Sequence, residues 1–495
     1  MGQLLATGVL AATLAGCSLI YNPNNLPSPN DAPADAEVIT DADPTMLALT
    51  DVAPATINEG QGDGGGRAAV IVIRGDNIAP DAQVSITSQG GNTNFTVGTV
   101  ELAADHKFIA VQIVAKVDDT LGDGQSNVLD IHVTQAGGTI TKELLGKVSI
   151  TGLETLDDSK AGDIPNNLKP LYASIALTGT LDLAGDKDHP VLLRSASSIS
   201  VGVLKANGKA ASSTNGGAGG PGGCPGGNGG TDGSCAVPAA GHHGGSIGNA
   251  GGGGFGSDGT SGSGGNAGTP GTSAGNATVS TYGGFMGVTA NRSGGGGGGG
   301  GTVADLGSGG GGGGGGGLIE LTAEGDVMAG ALSANGGNGV HPALVGGGGG
   351  GSGGAIVVRA GGTLTTGALS VIGGHSAENN GSGDGGAGRI RWDAPASAPP
   401  SGAHRGPAFV DAPLSVTTAN PTITMIGTAN DGFQVYVVDQ DGAIHDQQSF
   451  AFGANNMVAV TPTLFRGYNR LCVVLAGGER GKPEGEKCVD LAMLP

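Results

Sequence analysis

Three stretches of this chain align without gaps: PVLLRSASSISVGVLKANG (residues 190–208), LIELTAEGDVMAGALSANG (318–336) and AIVVRAGGTLTTGALSVIG (355–373). Their apolar residues recur in steps of two, which is the period of a β-strand. Ile390 and Trp392 begin a fourth, partial copy. The aligned columns are Val191, Ile319 and Ile356; Leu193, Leu321 and Val358; Ile199, Val327 and Leu364; Gly202, Gly330 and Gly367; Leu204, Leu332 and Leu369; and Ala206, Ala334 and Val371.

Short strands that repeat around a fixed glycine indicate a β-solenoid, in which each coil buries its apolar face against the next. We therefore predict an all-β protein whose central domain, residues 165–405, is a Gly-rich β-solenoid similar to a parallel β-helix. Residues 207–317, 337–354 and 373–388 would connect the coils. They could be polyglycine II-like strands packed beside the solenoid or flexible loops. A bridge between Cys224 and Cys235, inside the first segment, favours order.

The composition argues against one large conventional core and against a nucleic-acid partner. Glycine supplies 105 of the 495 residues, only 13% of residues are charged and 3% are aromatic. The 42 acidic and 22 basic residues give a net charge of −20, and no cluster of Lys or Arg is visible. Proteins that bind nucleic acid need such a cluster to neutralise phosphates.

The N-terminus carries an export pattern. Residues 4–16 form an apolar stretch that is too short to span a bilayer and suits a secretory signal. The stretch ends in Leu14, Ala15, Gly16 and Cys17, which resembles the lipobox of bacterial lipoproteins, although no Lys or Arg precedes it. The resemblance implies a signal peptide and lipobox at residues 1–17 and lipid attachment at Cys17. In such lipoproteins the residue after the cysteine directs sorting between the two membranes. Residue 18 is Ser and not Asp, so the resemblance also implies the outer membrane.

Residues 18–44 contain much Pro, Asn, Asp and Ala and no Lys or Arg, which predicts a disordered tether. The remaining cysteines form two local pairs, Cys224 with Cys235 and Cys472 with Cys488. An exported protein can keep both pairs as disulfides.

Residues 45–152 read as a small antiparallel β-sandwich, because alternating apolar runs are separated by turn residues. The segments LTDVAP (49–54) and VIVIRGDNI (70–78) resemble an immunoglobulin-like IPT/TIG module, with a Gly-rich insertion at residues 60–66. Such modules serve as spacers or binding platforms, so the resemblance transfers no catalytic residue.

Residues 406–495 predict a second β-sandwich and resemble a bacterial Ig-like module. The run FQVYVV (433–438) leads to Asp441 and Gly442, a strong signal for a tight turn. LCVVL (471–475) pairs plausibly with KCVDL (487–491), and a Cys472–Cys488 bridge would join these two strands.

Candidates for a metal site are weak. His242 and His243 follow Cys224 and Cys235, but the spacing matches no zinc pattern and oxidised cysteines cannot bind the metal. Residues 253–260 approach a calcium-binding nonapeptide without its tandem copies. Residues 439–442 look slightly like a calcium loop, but a hairpin turn explains them. We predict no metal site and no cofactor.

Candidates for catalysis are also weak. Two outward columns carry polar residues, one with Arg194, Thr322 and Arg359 and the other with Ser198, Asp326 and Thr363. No acidic pair recurs there as glycoside hydrolysis requires. We therefore expect these side chains to be solvated, and we predict no catalytic residue and no enzyme activity.

The overall pattern looks like that of the Gly-rich surface proteins of Gram-negative bacteria. It predicts a lipid-anchored outer-membrane or cell-surface protein with a structural or adhesive role. The N-terminal sandwich would lift the solenoid from the membrane, and the C-terminal one would cap or present it. Its partners would be the membrane, through the lipid, and an extracellular polysaccharide or another surface protein. Two alternatives are a solenoid polysaccharide lyase or hydrolase, using Asp326 or Arg359, and a glycan-binding module without catalysis.

Overall fold

A computed structural model describes residues 46–118, 120–233, 250, 252–253, 259–262, 297–300, 309–342, 346–376, 382–401, 403–410, 412–475 and 486–495. The regular secondary structure of the described residues is almost entirely β-strand, so the all-β prediction is confirmed. Among them, no helix combines the length and apolarity needed to cross a membrane. The predicted signal peptide, Cys17 and the tether lie outside the described residues, as do Cys235, His242 and His243.

The N-terminal sheet pair consists of two four-stranded sheets with the orders β1-β3-β6-β5 and β2-β8-β7-β4. Aliphatic residues from both sheets, such as Ile71, Ile109 and Ile131, share one core. The pairing is antiparallel as expected, except that β2 runs parallel to β8. The strands are β1 Ala48–Ala53, β2 Thr56–Asn58, β3 Ala69–Asp76, β4 Gln83–Ser88, β5 Phe95–Leu102, β6 Phe108–Ala115, β7 Ser126–Gln135 and β8 Ile140–Thr151.

The central region, which we call the coil stack, contains two parallel sheets that enclose one aliphatic core. One sheet has the order β11-β13-β16-β19-β20; the other has the order β17-β14-β12-β10-β9, with β15 and β18 beside it. A 3₁₀ helix, Asp158–Asp163, lies between β9 and β10. The strands are β9 Leu156–Asp157, β10 Ile175–Asp182, β11 Val191–Ser195, β12 Ile199–Lys205, β13 Leu318–Ala323, β14 Val327–Ala329, β15 Leu332–Ser333, β16 Ala355–Ala360, β17 Leu364–Thr366, β18 Leu369–Ser370, β19 Arg389–Asp393 and β20 His404–Arg405.

Four of the six columns of the sequence repeat, those that begin at Val191, Leu193, Ile199 and Leu204, are paired positions of these parallel sheets. Val191 pairs with Ile319, which pairs with Ile356, which in turn pairs with Ile390. On the second sheet the same relation joins Ile199, Val327 and Leu364, and also Leu204, Leu332 and Leu369. The coil stack begins at β9, nine residues before the predicted boundary at residue 165, because β9 pairs with β10.

Beside the coil stack lies what we call the glycine layer: residues 206–229, 297–300, 309–318, 334–340, 346–354, 371–376 and 382–388. Its central segment, 309–318, donates backbone hydrogen bonds to three neighbours in rotation, so each neighbour is reached at every third residue. Such a period belongs to an extended helix with three residues per turn. The bonds run from Gly310, Gly313 and Gly316 to Gly346, Gly349 and Ser352; from Gly311, Gly314 and Gly317 to Ser213, Lys209 and Ala206; and from Gly312, Gly315 and Leu318 to Gly227, Cys224 and Pro221.

The need for glycine in this layer comes from close backbone packing. A Cβ built on Gly314 would lie 2.0 Å from the carbonyl oxygen of Ala218, and one on Gly351 would lie 2.1 Å from that of Gly314. Among the described glycines of the layer, only Gly222 has a φ in the left-handed range. In the described parts of residues 207–388, backbone N–H and C=O groups are therefore paired with those of neighbouring segments. This pairing avoids the free-energy cost of burying unpaired peptide groups.

The C-terminal sheet pair contains a three-stranded sheet, β21-β23-β26, and a five-stranded sheet, β22-β28-β27-β24-β25. Phe433, Phe452 and Leu471 lie in its core. The strands are β21 Ala408–Phe409, β22 Ser415–Val416, β23 Ile423–Ile426, β24 Gly432–Asp439, β25 Ile444–Ala451, β26 Met457–Val460, β27 Gly467–Leu475 and β28 Glu486–Met493.

The two sheet pairs contact each other, which the linear arrangement expected from the sequence did not anticipate. Val72 and Phe108 of the N-terminal pair share a buried apolar cluster with Tyr468 and Ala492 of the C-terminal pair. The Gly-rich insertion at residues 60–66 packs against the coil stack. There Gly64 accepts a hydrogen bond from Asp326 N (2.9 Å).

Gly65 shows why this insertion is rich in glycine. It has a φ of +81°, and a Cβ there would lie 2.5 Å from a carboxylate oxygen of Asp326. Both the left-handed backbone and the close contact exclude a larger residue. The insertion therefore joins the N-terminal sheet pair to the coil stack.

Candidate functional site

A cavity of about 670 Å³ lies where the coil stack and the two sheet pairs meet, and we call it the charged cavity. Its volume falls in the range of sites for small molecules. It is lined by the outer face of β11, β13, β16 and β19, by β24, β27 and β28 of the C-terminal sheet pair, and by residues before β3. The charged residues in its lining are Arg67, Arg194, Glu324, Arg359, Arg391, Asp393, Arg470, Glu486, Lys487 and Asp490.

Strand alternation places several of these charges on one wall. Within β11, β13, β16 and β19, every second residue points into the aliphatic core, so the intervening residues point outward. One outward row contains Arg194, Thr322, Arg359 and Asp393, which are direct neighbours across the four parallel strands. An adjacent row contains Leu192, Glu320, Val357 and Arg391.

Asp393 forms ion pairs with two arginines. Arg391 Nε donates to Asp393 Oδ1 (2.9 Å), and Arg391 Nη2 lies 2.7 Å from Oδ2. Arg359 Nε lies 3.3 Å from the same Oδ2. Burial by itself would raise the pKa of Asp393, but the charges of Arg391 and Arg359 outweigh it and lower that pKa. Asp393 is therefore an ionised carboxylate fixed in place.

Arg359 remains a cation despite its burial. Burial and the neighbouring charge of Arg391 lower the pKa of Arg359 to about 10. Farther along the wall, Arg194 Nη2 lies 3.2 Å from Glu320 Oε1, which also accepts a hydrogen bond from Thr322 Oγ1 (3.3 Å). The expectation that Arg359 is solvated is wrong, because the C-terminal sheet pair covers this face and leaves only 7% of the residue exposed.

Glu324 and Lys487 bring two further titratable groups to the cavity. Lys487 Nζ donates to the carbonyl oxygen of Ala360 (3.2 Å). Burial raises the pKa of Glu324 and lowers that of Lys487, since each charge loses hydration inside the protein. Glu324 is nevertheless an exposed residue, so the loss of hydration of its carboxylate is only partial.

The C-terminal wall is held by side-chain bonds. The hydroxyl of Tyr468 donates to Asp490 Oδ1 (2.7 Å), and burial, followed by the charge of Asp490, raises the pKa of Tyr468. Cys472 and Cys488 lie directly opposite each other on β27 and β28, and their sulfur atoms are 2.06 Å apart. The sequence had paired these cysteines. Closing a loop of this size contributes about 3 kcal/mol to stability.

Arg67, which lies just before β3 and lines the cavity, bonds to the C-terminal sheet pair. Its guanidinium donates to the carbonyl oxygens of Ala412 and Pro413 and to that of Asp490 (2.9 Å). Burial lowers the pKa of Arg67, partly offset by the charge of Asp490. Because one guanidinium bonds to three carbonyl oxygens, it holds the segment before β3 in place against the C-terminal sheet pair.

The other residues singled out in the sequence lie away from the cavity or outside the described residues. Asp326 accepts a hydrogen bond from Thr363 N (2.6 Å) and packs against the insertion at residues 60–66, so its contacts are structural. Cys224 is buried in the glycine layer, but its predicted partner Cys235 is not described. Gly253 and Thr260, from the nonapeptide-like segment, make backbone bonds to Gly350 and Asp384.

Sequence reasoning missed Glu324, Arg391, Asp393 and Lys487 as site residues. The partial fourth copy carried a usable signal: once Ile390 and Trp392 are aligned, Arg391 and Asp393 fall on outward positions. No comparable signal marks Lys487, which belongs to another part of the fold. Cys472, Glu486 and Cys488 offer atoms within 4.8 Å of one another. Their two sulfurs are bonded to each other and so provide no thiolate for a metal.

Comparison of the chain with models of known protein families and with curated proteins finds no match. The interpretation of the charged cavity therefore rests on its own geometry: fixed cations, an ionised carboxylate held between two of them, and space for a small molecule.

Proposed function

We propose that this chain is a non-catalytic surface protein of a bacterial envelope, anchored through a lipid on Cys17, with a structural or adhesive role. In this proposal the coil stack is a β-solenoid, the glycine layer is a polyglycine II-like lattice and the flanking sheet pairs are Ig-like sandwiches. The export pattern of residues 4–17 supports the location, and the disulfide between Cys472 and Cys488 suits an oxidising compartment.

The three-residue period of hydrogen bonding in the glycine layer carries the structural part of the proposal. A backbone bonded to three neighbours in rotation has few ways to move, because each peptide group is tied to a different segment. A rigid scaffold of this kind suits the display of a surface better than it suits catalysis, which often needs moving loops. The carboxylate best defined in the cavity, Asp393, is already neutralised by Arg391 and Arg359.

Labelling with radioactive palmitate in a Gram-negative host tests the anchor. The wild-type chain should incorporate label and fractionate with the outer membrane, whereas Cys17→Ser should lose the label and become soluble. Cys472→Ser is a suitable control, since it removes a cysteine outside the export pattern. An unlabelled wild-type chain, or one processed at a residue other than Cys17, would sink the anchoring proposal.

Surface exposure is tested separately by adding protease to intact cells. A displayed protein should be degraded without lysis, and a periplasmic marker should survive in the same sample. Protection of the chain until the outer membrane is broken would contradict display at the cell surface.

A further inference from the structure

We propose that the charged cavity binds a carboxylate-bearing saccharide of one or two uronate units. This inference deepens the surface role proposed above by naming a ligand class. It rests on that role because such saccharides would meet the protein outside the cell.

The charge of the cavity is the reverse of the charge of the chain. Among the residues that the structure describes, six basic and four acidic residues line the cavity. The chain as a whole carries a net charge of −20, so a concentration of cations inside it is not a consequence of composition. Such a site attracts anions and raises their local concentration.

Arginine chemistry favours a carboxylate. A guanidinium presents paired N–H groups that match the two oxygens of a carboxylate. Arg391 already holds Asp393 in this way. Arg470 also lines the cavity and is exposed, so its guanidinium is accessible to the carboxylate of a ligand.

The size and the apolar part of the lining favour a sugar. A volume of about 670 Å³ accommodates one or two rings. The apolar part of the lining includes Leu171, Val438 and Ile444, none of which is fully buried. Such apolar surface beside charged groups suits the C–H face and the hydroxyls of a pyranose. Inorganic phosphate would use the cations but not this apolar surface.

Isothermal titration of the purified full-length protein with digalacturonate tests the inference. We expect binding that weakens at least tenfold with the dimethyl ester of the same disaccharide, because the ester lacks the charge. Affinity should also fall as sodium chloride is raised. Inorganic phosphate and citrate form separate arms. Binding either anion as tightly as digalacturonate would overturn the saccharide assignment in favour of a general anion site.

Variants test whether the cavity is the site. Arg470→Gln changes an exposed residue of the cavity wall and should weaken digalacturonate binding at least tenfold. Lys487→Met keeps most of the side-chain volume and should have a similar effect. Arg466→Gln is the matched control, since Arg466 precedes β27, pairs with Asp105 and does not line the cavity. Equal losses in Arg466→Gln and Arg470→Gln would overturn the inference.

The result of the binding experiment can be distinguished from the results that test the proposed surface role. Palmitate labelling and protease accessibility report on anchoring and display, and neither depends on the cavity. A labelled, displayed protein that gives no heat with millimolar digalacturonate would contradict the ligand assignment alone. Digalacturonate binding by a chain that is neither labelled nor displayed would contradict the surface role while leaving the site in place.

Discussion

The coil stack and the glycine layer fill space in opposite ways, and the chain passes from one to the other at Leu318, which ends a segment of the layer and begins β13. Before that point backbones touch directly, and after it aliphatic side chains of β13 interlock with those of neighbouring coils. A Cβ at a packed glycine such as Gly314 would collide with a neighbouring backbone, whereas shortening a core leucine such as Leu321 to alanine would leave a cavity. The difference teaches that one segment of chain can change from backbone packing to side-chain packing within a single residue.

The largest effect is expected from making a cavity in the coil stack. Leu321→Ala removes a fully buried side chain between the two parallel sheets and should destabilise the protein by about 4 kcal/mol. Denaturant unfolding followed by far-UV circular dichroism measures it. Leu145→Ala, at a residue that is 54% exposed, is the control and should change stability little. Equal effects of the two substitutions would show that the coil stack is not packed by its side chains.

A slightly smaller loss is expected from adding a single methyl group to the glycine layer. Gly314→Ala places a Cβ 2.0 Å from the Ala218 carbonyl oxygen, so two backbones must separate, at a cost of about 3 kcal/mol. Denaturant unfolding measures the loss, and amide exchange should quicken in residues 206–229 and 346–354 first. A fully stable Gly314→Ala protein would mean that backbone contact does not hold this layer.

The effect of pH should separate the two regions further. The pKa of Asp393 is lowered, so its contribution to stability is present above pH of about 4 and is lost as the pH falls below that value. The contribution of Glu324 to stability has the opposite pH dependence, because its pKa is raised in the folded protein. The folded protein gains stability as the pH falls from that raised pKa toward about 4.3, the value for the unfolded chain. Both groups lie on the outer face of the coil stack, so the glycine layer should respond less.

Unfolding measured between pH 7 and pH 3 checks these signs. Stability should rise modestly on mild acidification and then fall below pH of about 4. Glu324→Gln should abolish the rise and keep the fall. A wild-type protein that loses stability steadily from pH 7 downward would contradict the assignment to Glu324.

The smallest effect is expected where a glycine has neither a close neighbour nor a left-handed backbone. Gly179 of β10 has no atom within 4 Å of a built Cβ, and its φ lies outside the left-handed range. Gly179→Ala should stabilise the protein by about 0.5 kcal/mol, because it restricts the unfolded chain. Thermal unfolding beside Gly314→Ala measures both. Destabilisation at Gly179 as large as at Gly314 would show that the loss comes from glycine content and not from contact.

The sequence was informative about the coil stack because its strands alternate. The columns of Val191, Ile199 and Leu204 could be aligned with later copies, and those columns are the register of the parallel sheets. β9, with two residues, is too short to show any alternation, so the start of the stack was placed too late.

The charged cavity could not be predicted in the same way. Arg359 and Asp393 occupy outward positions, which are ordinarily solvated, and nothing local shows that the C-terminal sheet pair covers them. Lys487 reaches the same place from more than a hundred residues away. The glycine segments were ambiguous for a related reason. A glycine segment is ordered only if a neighbouring backbone pairs with its peptide groups, and composition does not reveal whether such a neighbour is present.

The spacing of the coils has a consequence for how this protein can change. Paired positions on β11, β13, β16 and β19 are 128, 37 and 34 residues apart along the chain, yet they pair in the same register. The length of chain between coils therefore does not set the fold. Long insertions between coils should be tolerated where single substitutions of the packed glycines are not, so variation within this architecture would proceed by gain and loss of whole segments.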